Sequence, residues 1–309
     1  MRKGILAAAA ALLLAFAALA QAAAEGDVKI GFLVWNGPFK GMQQWQATGE
    51  HLAEKLGRPV TVLPLEFKDV LPAVEAGRID FFTADPSMFA TAKAQHGAEA
   101  VLTMKNPVIG TELIGAAIFT SAKNNAVNGL TDLRGKKFGA LRRWSFAGWQ
   151  MAELEFQDAG LDAYGFISTL RFFETPQAVI KAVLSGQTEA GIVPTGLLEM
   201  AAESGELSLE DVKILEKKHH KDFPYVCSTV LYPGFVLAKT AGVDPQLAGQ
   251  VAAILKKLKA DDKALATAGV TAWIDPLDYT VIEKMQSRLR GYAGETEPQN
   301  SRQEYARNN

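Results

Sequence analysis

The sequence predicts an α/β protein of two similar lobes joined by two hinge crossings. Three observations carry this. Apolar strand-like runs alternate with helix-length amphipathic stretches from Val28 onward, a pattern that wraps a parallel sheet in helices. A helix–glycine–strand unit ending at Gly77 recurs at Gly186. Two apolar runs, Leu113–Thr120 and Pro224–Tyr232, have the length and place of connections between lobes. A chain of 309 residues, 48% hydrophobic and 21% charged, has room for about two domains.

Residues 1–24 stand apart as a signal peptide. Arg2 and Lys3 open it, Gly4 to Ala20 are almost wholly apolar, and Ala20-Gln21-Ala22 or Ala22-Ala23-Ala24 offers a small-residue cleavage site. The alternative, a retained anchor helix, has only about 17 apolar residues for a span that needs about 20.

Val28–Val34 then reads as a buried strand, with Trp35-Asn36-Gly37-Pro38 as the turn after it. A helix over about Phe39–Leu56 puts Met42, Trp45, Leu52 and Leu56 on its inner side, and Gly57 ends it. Val60–Leu65 is the next strand, Asp69 caps a short helix that stops at Gly77, and Ile79–Thr83 is a third strand. Asp85-Pro86 has the form of an N-cap followed by the first helical residue, and opens a helix to His96-Gly97. Ligands of such sheets sit beyond the carboxyl ends of the strands, which places Trp35, Asn36, Thr83, Asp85, Ser87 and Met88 on one rim.

The second half repeats the plan. Ile167–Phe173 is a strand, Thr175-Pro176 caps a helix ending at Gly186, Ala190–Val193 is a strand, and Pro194-Thr195-Gly196 opens the next helix. Superposing Gly77 on Gly186 pairs Val70 with Val179, Ala73 with Ala182, Val74 with Val183 and Asp80 with Glu189. After Asp244-Pro245 a helix runs to about Lys259, and a last one spans about Asp278–Leu289. The predicted division is 25–113 for the first part of lobe 1, 114–227 for lobe 2, 228–292 for the return to lobe 1, and a disordered polar tail at 293–309.

The charge narrows the function. Without Arg2 and Lys3 the chain keeps 30 basic against 34 acidic residues, a net charge near −4. That argues against nucleic acid as a partner and leaves any anion to be held by local geometry. The single cysteine, Cys227, has no internal disulfide partner and lies in an apolar run, as a buried inert thiol does.

The segment Lys137 to Met151 is where that local geometry is expected. A short strand, Phe138–Leu141, runs into a turn carrying Arg142 and Arg143, and Ser145 stands where a helix N-cap belongs. Helix starts present unpaired N–H groups at the positive end of the helix dipole, which suits an anion. Either arginine adds a full charge suited to oxyanion oxygens. Trp35, Trp144 and Tyr232 sit in turns at strand ends, where they could line a cleft.

With these residues in view, the chain resembles the phosphate/phosphonate-type periplasmic solute-binding proteins, of the type II two-lobed fold. The matching pieces are the opening strand, Ala76–Phe81, Leu130–Lys137 and Ser145 at its helix start. More narrowly it is similar to the periplasmic input domains of tetrathionate-sensing histidine kinases, through Trp45, Ser145–Met151, Phe223-Pro224-Tyr225, Ser228–Pro233 and Pro276–Tyr279. The resemblance implies that Ser145 and the backbone of Phe146 and Ala147 hold an oxyanion from one lobe, facing Thr83, Asp85 and Ser87 of the other. Arg142 or Arg143, Thr195, Tyr232, Trp35 and Asn36 complete the candidate ligand set. Asp85 departs from the pattern, where a neutral amide is usual. Either it caps its own helix away from the ligand, the preferred reading, or the ligand carries a donor or cationic part.

The resulting expectation is a monomeric, non-catalytic periplasmic protein with no metal or cofactor. It captures phosphate, a phosphonate or a sulfur oxyanion in the cleft between the lobes for an ABC permease. The alternative output is a signal to a separate membrane sensor kinase. An enzyme on the same fold would need a nucleophile with its base or a ligand set for a metal, and the four histidines show no such spacing. An interaction module without ligand is the third class considered.

Overall fold

The computed structural model describes residues 26–35, 37–105 and 111–296, with side chains of the last helix as far as Leu289. The expected signal peptide and most of the expected tail lie outside the described residues. Two compact units are resolved. The first takes the chain up to Ala84 with Thr91–Lys105 and Phe235–Pro276; the second takes Asp85–Ala90, Asn106–Gly234 and the chain from Leu277.

The first unit is built on a six-stranded sheet. Strands β1 (Val28–Leu33), β2 (Val60–Leu65) and β3 (Phe81–Ala84) are mutually parallel, with β1 between the other two. The helix α1 (Gly37–Leu56) links β1 to β2, and α2 (Phe67–Glu75) links β2 to β3. α1 buries Trp45 and Leu52, and the Trp45 ring stacks on Phe32 of β1 at 4.1 Å between centroids. The sheet is not purely parallel as expected. The strand Val236–Lys239 enters antiparallel between β3 and Glu99–Lys105, because the chain returns from the second unit on the opposite heading.

The second unit carries a five-stranded sheet. Here β7 (Lys137–Leu141) lies parallel to Thr169–Phe173 on one side and Ala190–Pro194 on the other, and Ala116–Ser121 runs antiparallel beyond that. Trp149, Phe138 and Phe156 are fully buried beneath it, in edge-to-face contact. Burying side chains of this size is worth about 1.5–3 kcal/mol each.

The internal repeat has a physical basis in both units. Gly77 and Gly186 both adopt positive φ (61° and 72°), the conformation glycine takes most easily at the end of a helix. Three residues on, Asp80 accepts the main-chain N–H of Lys29 at 2.7 Å, and Glu189 accepts that of Lys137 at 2.8 Å. Each acid pins the start of the neighbouring parallel strand.

Three expectations about elements are corrected. Pro224–Tyr232 is not a continuous strand; Cys227 makes an isolated bridge with Lys218, and Tyr232–Pro233 pairs with Leu113–Ile114. Ser228 and Thr229 replace the missing ladder with side chains. The Ser228 hydroxyl accepts the Ile118 N–H at 2.9 Å, and the Thr229 hydroxyl accepts the Ala116 N–H at 3.0 Å. The expected strand over Leu113–Thr120 is broken at Gly115, where a Cβ would lie 2.6 Å from the Cys227 sulfur. The last helix continues to Thr296, past the expected end near Leu289.

Candidate functional site

The site begins at the carboxyl end of β7. Beyond Leu141 the chain turns through Arg142–Ser145 and enters a widened π turn, Phe146–Gln150, which continues directly as the helix Met151–Asp158. The Ser145 carbonyl accepts the N–H groups of both Trp149 and Gln150, at 3.0 and 3.1 Å. Such a widened turn leaves the preceding N–H groups without intrahelical acceptors, and π turns occur often at functional sites. Gly148 makes the turn fit. A Cβ there would stand 2.5 Å from both Leu141 Cβ and the Ser145 hydroxyl.

Ser145 is at the N-cap in position, but its hydroxyl makes no capping hydrogen bond, contrary to what its placement suggested. The widened turn carries the N–H groups away from it. Phe146 and Ala147 are buried, and Phe146 packs edge-on against Tyr232, 5.4 Å between centroids. Burial holds the Tyr232 hydroxyl in its neutral form, with its pKa pushed up to about 12.

Asp85 comes to the same place. It follows β3, is 6% exposed, and caps the helix Pro86–His96 by accepting the Met88 N–H at 2.7 Å. The nearby main-chain N–H groups of Phe146 and Ser87 also favour its charged form. The capping part of the preferred reading is thus what the structure has. Desolvation outweighs these donors, and the pKa of Asp85 is pushed up to about 7. Ser87 is buried beside it, its hydroxyl and carbonyl both accepting from the Gln286 amide at 2.7 Å.

The arginines are already engaged. Arg142 is ion-paired with Glu174 and lies over the Trp144 ring at 5.2 Å. The register that pairs Leu141 with Phe173 sets residues 142 and 174 side by side. Arg143 lies over the Tyr164 ring at 4.8 Å and attracts the buried Glu153 carboxylate. That carboxylate still titrates above its ordinary range because burial outweighs Arg143 and its hydrogen bonds with Tyr164 and Trp149.

The remaining candidates are described each within its own unit. Thr83 is buried in the first unit, and its hydroxyl accepts the Leu33 N–H at 2.8 Å. Trp35 is 60% exposed and meets Phe235 edge-on at 5.3 Å. Asn36 lies outside the described residues. Thr195 is fully buried and bonded through its hydroxyl to the N–H and carbonyl of Gly115, both at 3.2 Å, which makes it a brace of the second unit. Glu153, Tyr164, Glu174 and Gln286 escaped the sequence reading because each acts through a partner distant in sequence. Among the described residues no group of acidic, histidine or cysteine side chains could hold a metal ion, and no helix is long and apolar enough to cross a membrane.

A family model of the periplasmic substrate-binding proteins of phosphonate ABC transporters matches residues 30–280. The chain belongs to this family. Membership carries a periplasmic location and the role of a substrate-binding protein. A search of curated proteins found no match.

Solved structures agree on the fold, which is that of the two-lobed periplasmic binding proteins. A Xanthomonas citri protein solved with ATP superposes with a TM-score of 0.70 at 16% identity, covering 87% of this chain and 99% of its own. Prochlorococcus marinus PhnD1, in complex with methylphosphonate, gives 0.65 at 14% identity, covering 85% and 98%. A binding-protein component of a phosphonate ABC transporter from Pseudomonas aeruginosa gives 0.63 at 12% identity, covering 85% and 86%.

Proposed function

We propose that this protein captures a small tetrahedral oxyanion of the phosphonate class and delivers it to an ABC permease. The anion is held by main-chain N–H groups of the turn Ser145–Gly148, with the Ser145 hydroxyl as a further donor. One observation carries the reading: among the described residues no main-chain acceptor serves the N–H groups of Ala147 and Gly148 in this turn. Main-chain donors left open at a helix start suit an oxyanion. Phe146, Ala147 and Gly148 are buried, which strengthens each such bond by lowering the local dielectric.

The uncommitted Ser145 hydroxyl fits this role, since it is spared from capping. Arg142 and Arg143, both paired, contribute background potential from beside the turn. A thermal-shift screen with methylphosphonate, inorganic phosphate, phosphite, thiosulfate and tetrathionate tests the proposal. A ligand that binds the folded state alone raises the melting temperature by mass action. The expected result is a shift with one or more of the phosphorus oxyanions, confirmed by calorimetric titration. No shift with any of the five overturns the reading.

A further inference from the structure

The sheet of the first unit ends at β2, and the two faces of this edge strand are covered unequally. On one face the 20-residue helix α1 closes down so tightly that a Cβ at Gly49 would stand 2.3 Å from Val62 Cγ2. Thr61, Leu63 and Leu65 alternate onto the other face. The helix α2, which follows β2, has only nine residues and leaves Leu63 and Leu65 half-buried. A pocket of about 290 Å³ remains there, walled by Leu63, Leu65, Ile79 and Ala73 of α2. Gly31 of β1, level with Leu63, lets Leu65 and Ile79 settle toward the sheet; a Cβ on it would meet them at 2.6 and 3.1 Å. Two cations frame this apolar hollow. Lys29 lies level with Thr61 in the parallel register, and Arg78 precedes Ile79. Both are exposed, and among the described residues neither side chain makes a hydrogen bond or an ion pair. The carboxylates just before β3 and β1 are already engaged. Asp80 accepts the Lys29 N–H at 2.7 Å, and Asp27 accepts the Thr61 hydroxyl at 2.6 Å.

We propose that this pocket binds a small amphipathic carboxylate, its apolar body against Leu63, Leu65 and Ile79 and its charge between Lys29 and Arg78. The pocket consists wholly of first-unit residues and does not depend on the reading of the Ser145–Gly148 turn. Apolar walls with a few convergent charged groups are the usual make-up of a small-molecule site, and the volume lies at the small end of such sites. The stems of lysine and arginine extend the apolar wall while holding their charges at the mouth. Arginine offers a carboxylate two parallel donors, and lysine adds a point charge. An inorganic anion would leave the apolar wall wet, and an uncharged apolar molecule would leave both cations unmatched. A carboxylate on a short alkyl or aryl body answers both.

Methyl NMR on the full chain, labelled at leucine and isoleucine methyl groups, tests this. Hexanoate and benzoate are the probes, with hexanol and hexylamine as uncharged and cationic controls. The expected result is a saturable shift of the Leu63, Leu65 and Ile79 methyl signals with either carboxylate. Hexanol is expected to bind at least fivefold more weakly than hexanoate, and hexylamine more weakly still. The double variant Lys29→Gln with Arg78→Gln changes only exposed side chains, so its melting curve should stay intact while hexanoate affinity falls at least fivefold. No saturable shift at these three residues with either carboxylate overturns the proposal. Equal binding of hexanoate, hexanol and hexylamine, or unchanged hexanoate affinity in the double variant, also overturns it, since the pocket would then not select for charge.

Discussion

The hydroxyl of Thr83 accepts the main-chain N–H of Leu33 at 2.8 Å, tying the carboxyl end of one parallel strand to its neighbour. Both residues are buried, so the bond has no water to replace it. Thr83→Val leaves that N–H without a partner and is expected to cost about 1–3 kcal/mol, measured by urea denaturation. Thr83→Ser keeps the acceptor and is expected to lose well under half of that. An unchanged midpoint in Thr83→Val would show that the bond contributes nothing.

Ser145 separates a structural from a binding role. Its hydroxyl caps nothing, so Ser145→Ala is expected to change the stability by less than about 0.5 kcal/mol. The same variant is expected to bind methylphosphonate about tenfold more weakly, the worth of one hydrogen bond to a charged group. A loss of stability with unchanged affinity would reverse the assignment.

Gly148 tests the shape of the turn. Any side chain there meets Leu141 Cβ and the Ser145 hydroxyl at 2.5 Å, and Leu141 Cβ is fixed by its strand. Gly148→Ala should lower stability by about 1–3 kcal/mol through overpacking and weaken anion binding by moving Ser145. Denaturation and calorimetry on the same sample read the two effects separately. Wild-type behaviour in both would mean that the turn is more compliant than its packing indicates.

Asp85 should leave a signature in stability against pH. Its carboxyl titrates near 7 when folded and near 3.8 when unfolded, so the folded state binds more protons between those values. Stability therefore falls as pH rises from about 4 to about 7, by no more than about 4 kcal/mol from this group. Urea melts of Asp85→Asn across that range should lack this component, other carboxylates contributing equally to both proteins. Parallel curves for the two would show that Asp85 ionises at its ordinary pH.

Much of this architecture was legible locally. Thr175 and Asp244 look like helix caps in sequence and are caps, accepting from Ala178 at 3.2 Å and Gln246 at 2.9 Å. The alignment of Asp80 with Glu189 found two acids that do the same task, because a short loop from helix to strand leaves the acid little choice of neighbour. Ser145–Ala147 was singled out by the same local logic, a strand running into a helix start.

What escaped is non-local. The Pro224–Tyr232 run has the apolar pattern of a strand, yet hydroxyls 110 and 113 residues away in sequence serve the N–H groups of Ile118 and Ala116 in its place. The two arginines look free for an anion, yet strand register delivers Glu174 to one, and folding lays Tyr164 beneath the other.

By itself the sequence determined the alternation of strands and helices, the repeat and the helix starts, since each depends on residues within a few positions of one another. Tertiary structure alone decided that Asp85 is buried close to the turn of Phe146. Nothing between residues 85 and 146 encodes that meeting in a readable period; it follows from how many separate segments pack.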